Sequence, residues 1–253
     1  MHLRVTVLGS GTIIPSAERK PTALLIEAGQ VAYLFDCGPG ILQALEDTGF
    51  SFRSLNRVLF THFHPDHTLG IGRLLAAINN DPASDKRQRL VFYGPCGLSD
   101  FIGRWNELYC STTPGGDCLE LVEVGAGEVL RDGDVWIRAV RVEHGDHEAL
   151  AYRVDRRDAS IVYTGDTAFT ESLVELAKDT DLLVSECSFP DDRPAEGHLT
   201  PSDVGRLASR SRAGRVVLVH LYPVFEGSDP ARSVKKHYGG PVIAARDGMT
   251  IDL

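Results

Sequence analysis

The chain opens on alternating β-type residues. LRVTVLGS, TALLIEAG and VAYLFDCG are short runs of aliphatic and β-branched residues separated by glycine or proline, and they predict strands of one sheet. ILQALEDT then predicts a helix, and RVLFT returns to a buried strand. In TLGIGRLLAAINN, Leu69, Leu74, Leu75 and Ile78 recur near helical spacing, which predicts a helix beginning near Thr68. The polar stretch NNDPASDKRQR predicts a solvated loop. LVFYGP predicts a strand, and LSDFIGRWNELY a helix with Phe101, Trp105 and Leu108 on one face.

The second half repeats this order with different residues. Strands are predicted at LELVEV, DVWIRAVRV, LAYRV and SIVYTGD, a helix at ESLVELAKD and a strand at LLVSE. PSDVGRLASRS has Pro201 and Ser202 near its start and predicts a helix. RVVLVHLY predicts a buried strand and PVIAARDGMTIDL one closing β segment. No linker, low-complexity tract or fixed-period repeat interrupts the pattern. Two β-rich halves, each ending in helices, predict an α/β fold of the four-layer αββα sandwich type, with residues 1–253 as a single domain.

Composition narrows the classes. The 43% hydrophobic and 24% charged content is that of an ordinary globular protein. No apolar run is of membrane-spanning length and the N-terminus lacks a secretion-type h-region, so the expectation is a cytoplasmic protein. Five cysteines, an odd number without a C-x-x-C pair, predict reduced, packed thiols; Cys110 and Cys118 are a weak candidate for a local metal or redox site. The net charge of −9 disfavours a broad nucleic-acid surface, but it is compatible with a small anionic substrate held by metal ions.

Three histidines and an aspartate fall within six consecutive positions of THFHPDHTLG. The cluster sits at a seam between a predicted strand and a predicted helix, where loops on a rigid scaffold carry chemistry. His62 and His64, two apart in an extended segment, project to one side; Asp66 and His67, after the turn at Pro65, face a second point. That is a layout for two metals, and such a pair needs further ligands. His144, Asp166 and His220 each lie at the carboxyl end of a predicted strand, where they can converge with the loop.

These residues carry a resemblance. THFHPDHTLG resembles the H-x-H-x-D-H signature of the metallo-β-lactamase fold. Together with VTVLGSGTIIPSAERKPTALLI, LFDCGPGILQAL, TGDT and HLTPSDVGRLA, it resembles the ribonuclease Z-like and small-phosphodiesterase branch over nearly the whole chain. The resemblance implies that His62, His64 and His144 hold one metal, that Asp66, His67 and His220 hold the other, and that Asp166 bridges them. His147 competes with His144, but Val142-Glu143-His144 has the family's V-x-H form. His198, in GHLT, matches a histidine that assists catalysis. The iron-binding oxidoreductase relatives place a glutamate where this chain has His64. Two zinc ions are therefore expected, and manganese or iron also suit these ligand types.

The implied activity is that of a metal-dependent hydrolase, a phosphodiesterase acting on a small phosphodiester, cyclic phosphate or nucleotide through a metal-bound hydroxide. Metal binding lowers the pKa of water from 15.7 toward about 7. Asp66 would orient the nucleophile and His198 would protonate the leaving oxygen or stabilise the phosphorane. The alternatives are a ribonuclease Z-like RNA 3′-processing endonuclease and a lactone or carboxylic ester hydrolase on the same metals. A non-catalytic binding module is disfavoured because every ligand position is filled, and a β-lactamase proper because no secretion signal is seen. The RNA-processing enzymes insert a long arm between their second and third metal-binding motifs. Here the interval from Gly94 to Val142 is already filled by predicted elements, with STTPGGD the one candidate loop. The expected partner is thus a small anionic or ester substrate rather than nucleic acid or membrane, with a homodimer as in many relatives.

Other motifs have two readings. Gly9, Ser10, Gly11 and Thr12 form either an anion-binding loop or a tight turn. Asp36 either supports a ligand or ligates directly. Glu186 and Ser188 sit where they could support the site, and Tyr222 and Pro223 either line its mouth or pack.

Overall fold

Alternation along each strand decides which of two cores a side chain enters. The computed structural model describes residues 3–83, 89–109, 118–157 and 159–253. Cys110, the STTPGGD segment and the centre of the predicted polar loop lie outside the described residues. The first half builds β1 (Leu3–Gly9), β2 (Ala23–Ala28), β3 (Val31–Phe35), α1 (Ile41–Asp47), β4 (Arg57–Leu59), α2 (Pro65–Thr68), α3 (Ile71–Asn80), β5 (Leu90–Gly94), α4 (Leu98–Leu108) and β6 (Leu119–Glu123). The second builds β7 (Val129–Asp132), β8 (Val135–His144), β9 (His147–Arg156), β10 (Ala159–Tyr163), α5 (Glu171–Leu176), β11 (Leu182–Glu186), α6 (Pro201–Ser211), β12 (Arg215–Val219), α7 (Pro230–Val234), β13 (Val242–Ala244) and β14 (Met249–Asp252).

Two seven-stranded sheets result, ordered β14-β1-β2-β3-β4-β5-β6 and β13-β12-β11-β10-β9-β8-β7. In β1 and β2, Val5, Val7, Leu24 and Ile26 face the other sheet, where they meet Ile137, Tyr152, Ile161 and Val184. The alternate residues Leu8, Ala23 and Leu25 face outward onto α1, α3 and α4, through Ile41, Leu45, Leu74 and Ile102. On the far side, α5, α6 and α7 cover the second sheet through Leu173, Val204, Leu207 and Val234. Both faces of the central strands are therefore buried, which is why they read as near-continuous apolar runs. The result is the four-layer αββα sandwich that the pattern predicts.

Four local expectations need correction. The helix expected from Thr68 is split into α2 and α3, because Gly70 N–H leaves the helical path to donate to the Cys37 carbonyl at 2.8 Å; Leu69, at the break, is 45% exposed. In α4 the buried pair is Leu98 and Ile102, whereas Leu108 is 72% exposed. Phe101 instead stacks on Phe63, with ring centroids 4.7 Å apart. VLRD, unassigned by pattern because it is short and half charged, forms the edge strand β7 antiparallel to β8. PVIAARDGMTIDL is two strands, β13 parallel to β12 and β14 antiparallel to β1. Asp247 pins the crossing between them by accepting from Ser10 N, Ser10 Oγ and Lys20 N at 2.9, 2.8 and 2.7 Å. A carboxylate thus takes the donors of Ser10, and the Gly9–Thr12 stretch is neither an open anion loop nor a tight turn: Gly9 ends β1 and Gly11 bridges to Pro21.

Candidate metal centre

The loop after β4 delivers its four side chains by a change of backbone. His64 is extended at φ −63° and ψ 152°, and Pro65 then starts the one-turn α2, which holds Asp66 and His67. Pro65 favours this switch, since it disfavours helix in the residue before it and presets helical φ in itself. Strand ends supply the rest: His144 closes β8, Asp166 follows β10 and His220 follows β12. His220 and Asp36 both sit in the left-handed region, at φ 53° and 62°. Non-glycine residues there concentrate at functional sites, where surrounding structure sustains the strain.

All eight expected side chains converge. His64 Nδ1 lies 3.0 Å from His144 Nε2, and the His62 ring is 4.6 and 4.8 Å from those of His64 and His144. Asp66 Oδ2 stands 3.4 Å from His220 Nε2 and 3.8 Å from His67 Nε2. Asp166 Oδ2 lies between the two groups, 3.9 Å from His62 Nε2, 3.9 Å from His144 Nε2, 3.5 Å from His67 Nε2 and 3.1 Å from His220 Nε2. Donor atoms of His62, His64 and His144 come within 4.8 Å of one another, as do those of Asp66, His67 and His220. His147 is exposed and reaches only the rim, its ring 4.2 Å from that of His64.

Protein atoms hold the opposite side of most rings. His67 Nδ1 pairs with Asp36 Oδ2 at 2.8 Å, His62 Nδ1 with Thr61 Oγ1 at 3.0 Å, His144 Nδ1 with the Gly197 carbonyl at 2.8 Å and His220 Nδ1 with Ser188 Oγ at 2.8 Å. Such contacts fix the tautomer and aim Nε2 at the centre. His62 Nε2 and His67 Nε2 are buried and have no hydrogen-bond partner among the described residues. Orphaned buried nitrogens in a cluster of imidazoles and carboxylates fit divalent cations of the zinc type. Asp36 itself accepts from Thr61 N, Thr61 Oγ1 and Tyr163 OH as well as meeting His67, so its oxygens are used in support.

Charges reinforce the arrangement. Burial, aided by His67, keeps His62 well below the ordinary histidine range. Burial and then His144 and His147 bring His64 down to about 4, so both rings are neutral and able to ligate at pH 7. Burial alone would raise Asp166, but His220 and His67 outweigh it and hold the carboxyl well below its usual range. Two rings run the other way. Burial alone would lower His67, but the Asp166 and Asp36 carboxylates outweigh it and raise that ring well above the ordinary histidine range. The second is His198. Its Nδ1 meets Glu186 Oε2 at 3.1 Å and Oε1 at 3.2 Å, and the Glu186 carboxylate outweighs the penalty of burial and raises the His198 pKa. Glu186 is locked in turn by Thr167 N and by Ser188 Oγ.

Known proteins give this geometry a family. A family model described as a β-lactamase superfamily domain matches residues 32–221. The chain belongs to the metallo-β-lactamase superfamily. Within it, ribonuclease Z of Bradyrhizobium diazoefficiens is 27% identical over 295 aligned positions, which cover 95% of this chain and 97% of the relative. Protein ML1173 of Mycobacterium leprae is 30% identical over 265 positions, covering 99% of this chain and 89% of the relative. The crystal structure of the metallo-β-lactamase fold protein YhfI from Bacillus subtilis superposes with a TM-score of 0.86 at 25% identity, covering 100% of both chains. The chain is accordingly a metal-dependent hydrolase, and the superfamily fold implies divalent metals at the cluster described above.

Three metallo-β-lactamase site supports escaped the sequence: Thr61, Tyr163 and Gly197. Each acts through contacts between segments distant in the chain. Gly197 and Thr61 carried a local sign, their places beside His198 in GHLT and beside His62 in THFHPDHTLG.

Proposed function

We propose that the cluster is a dinuclear hydrolytic centre that cleaves a small phosphodiester, a cyclic phosphate or nucleotide among them. One observation carries the reading: two donor triads share Asp166 and leave buried ring nitrogens unpartnered, with a histidine–glutamate pair alongside. His62, His64 and His144 would hold one cation, Asp66, His67 and His220 the other, and Asp166 both; zinc suits this set of nitrogens and carboxylates. When bound, the two cations lower the pKa of a water and neutralise the phosphoryl charge.

The chain's own residues do the rest. Asp66 faces the centre beside His220 and orients the attacking water. The water oxygen forms a bond to phosphorus, the bond from phosphorus to the leaving oxygen breaks, and His198 gives that oxygen its proton. Glu186 favours the protonated form of His198 and fixes its ring 4.9 Å from His144 and 5.6 Å from His220. General acid catalysis of this kind contributes about 10²–10⁴-fold.

Cleavage of RNA is the second reading, supported by the relatives named ribonuclease Z. Lengths weigh against it. In the alignment to the Bradyrhizobium enzyme, 95% of 253 residues fills about 240 of 295 positions, which leaves about 55 where that enzyme has residues and this chain has none. The net charge of −9 offers no substitute surface for a polyanion. Metal analysis with bis-p-nitrophenyl phosphate hydrolysis, before and after chelation and add-back of zinc or manganese, tests the proposal. About two metals per chain with restorable activity is the expected result. Two metals without phosphodiesterase activity would move the assignment to lactones and other esters, and an absence of metal binding would remove the mechanism.

A further inference from the structure

Beside the cluster lies a cavity of about 690 Å³, within the range of about 300–1,000 Å³ usual for ligand sites. Its walls are the segment after β1 and the segment after β12. Tyr222 belongs to it, with its ring 5.6 Å from His220 and 6.3 Å from His198, so one wall of the cavity stands beside the reacting centre. Phe189 stacks on Tyr222 at 4.5 Å and 28°, which fixes the tyrosine as a rigid wall. Ile14 and Pro223 extend the apolar surface, and Thr12 and Ser16 add hydroxyls.

The charged residues around this space do not favour a polyanion. Glu18, Glu226 and Asp229 line it against Arg19 and Arg246. Arg19 is already engaged, its Nη1 donating to Ser10 Oγ at 2.6 Å and to the Ala245 carbonyl at 2.7 Å. Asp229 caps α7 by accepting from Arg232 N. Glu18 and Glu226 are exposed and have no ion pair among the described residues. One phosphate at the cluster would be neutralised there. A second, in the cavity, would meet the carboxylates of Glu18 and Glu226 and the guanidinium of Arg246, none of them ion-paired among the described residues; exposed charges act over a screening length of about 10 Å at 0.1 M salt.

Resting on the phosphodiesterase reading, we infer that Glu18 and Glu226 are specificity-determining residues that restrict the site to substrates with a single ionised phosphate, the cavity taking an uncharged nucleoside against Tyr222. The aromatic wall suits a planar base and the hydroxyls suit its polar edges and sugar. A 2′,3′- or 3′,5′-cyclic nucleoside monophosphate meets these demands. An RNA strand, with a charge at every nucleotide, does not.

The test uses the metal-loaded full chain at low ionic strength with three chromogenic esters: bis-p-nitrophenyl phosphate, the p-nitrophenyl ester of thymidine 5′-monophosphate, and that same ester bearing a 3′-phosphate. The thymidine ester should exceed bis-p-nitrophenyl phosphate in kcat/KM by at least tenfold, and the 3′-phosphorylated ester should fall at least tenfold below it, a gap that narrows as salt is raised. In Glu18→Gln/Glu226→Gln, where both side chains are exposed and the core is untouched, the ratio of the two nucleotide esters should shift at least threefold toward the doubly charged one. Equal or faster turnover of the 3′-phosphorylated ester or of a 3′-extended RNA overturns the inference. So does an unchanged ratio in the double variant, or a nucleotide ester no better than bis-p-nitrophenyl phosphate. Failure to hydrolyse bis-p-nitrophenyl phosphate at all strikes instead at the phosphodiesterase reading.

Discussion

Asp36 shows how much a single buried carboxylate does here. It ties Thr61, His67 and Tyr163 together at a left-handed backbone position that asparagine also tolerates. Asp36→Asn should therefore keep the fold while weakening metal affinity about 10–100-fold, as loss of a ligand-orienting contact usually does; competition against a graded chelator measures it. His198→Ala should retain both metals and lose about 10²–10⁴ in kcat. Substantial metal loss in that variant would make His198 a ligand, since its nitrogen also lies within 4.8 Å of donor atoms on His144 and Asp166. The thiols give a pH-dependent prediction. Burial, with the charge of Asp36 adding, pushes Cys37 up to about 12, and burial raises Cys187 as well. The thiolate is the reactive form, so neither should label in the native protein between pH 7 and 9, whereas the exposed Cys96 should. Mass spectrometry after alkylation, with and without denaturant, reads this directly.

Between elements, the loop after β3 and the histidine loop touch backbone to backbone. A Cβ on Gly38 would stand 1.8 Å from the Asp66 carbonyl, and one on Gly70 would stand 2.4 Å from the Gly38 carbonyl. No side chain fits there. Gly38→Ala should push α2 away from the centre, lowering metal affinity and costing about 1–3 kcal/mol or more, the usual range for overpacking; metal stoichiometry and thermal unfolding together report both effects. Helix α6 begins with a capping box, in which Thr200 accepts from Asp203 N while Asp203 accepts from Thr200 N. Thr200→Ala should cost about 0.5–2 kcal/mol. At about 2–4 °C per kcal/mol for a chain of this size, the loss is measurable in a thermal scan.

At the scale of the whole molecule, the site lies where the two sheets meet. His62, His64, Asp66 and His67 come from the first sheet, and His144, Asp166 and His220 from the second. Leu150 N donates to the Thr61 carbonyl at 2.9 Å, Tyr152 OH to the Phe60 carbonyl at 2.8 Å and Tyr163 OH to Asp36 at 2.9 Å, so polar contacts span the junction beside it. A cation held by donors from both sheets binds the folded chain only. Saturation at 100 times Kd stabilises it by about 2.7 kcal/mol per site. Chelation should therefore lower the melting temperature by several degrees in one transition, with recovery on adding zinc. A melting temperature indifferent to chelator would show that the two sheets do not share a metal.

The parts of this protein that sequence alone determined are those whose physics is local. Short apolar and β-branched runs marked most strands, helical spacing marked α3, Pro201 marked the start of α6, and THFHPDHTLG exposed four candidate donors because they are neighbours in the chain. Resemblance added His198 and gave roles to His144, Asp166 and His220, which position could only mark as strand-end residues. The break between α2 and α3, the division of the closing β segment between two sheets and the burial of Asp36 had no local signature. Each is settled by contact between segments far apart in the chain: Gly70 with Cys37, Asp247 with Ser10, and Asp36 with Thr61, His67 and Tyr163. Tertiary structure also decided which imidazole nitrogen faces the centre and which acids line the cavity. A hydrogen bond orients a ring only once both partners are in place, and charges act through space rather than along the chain.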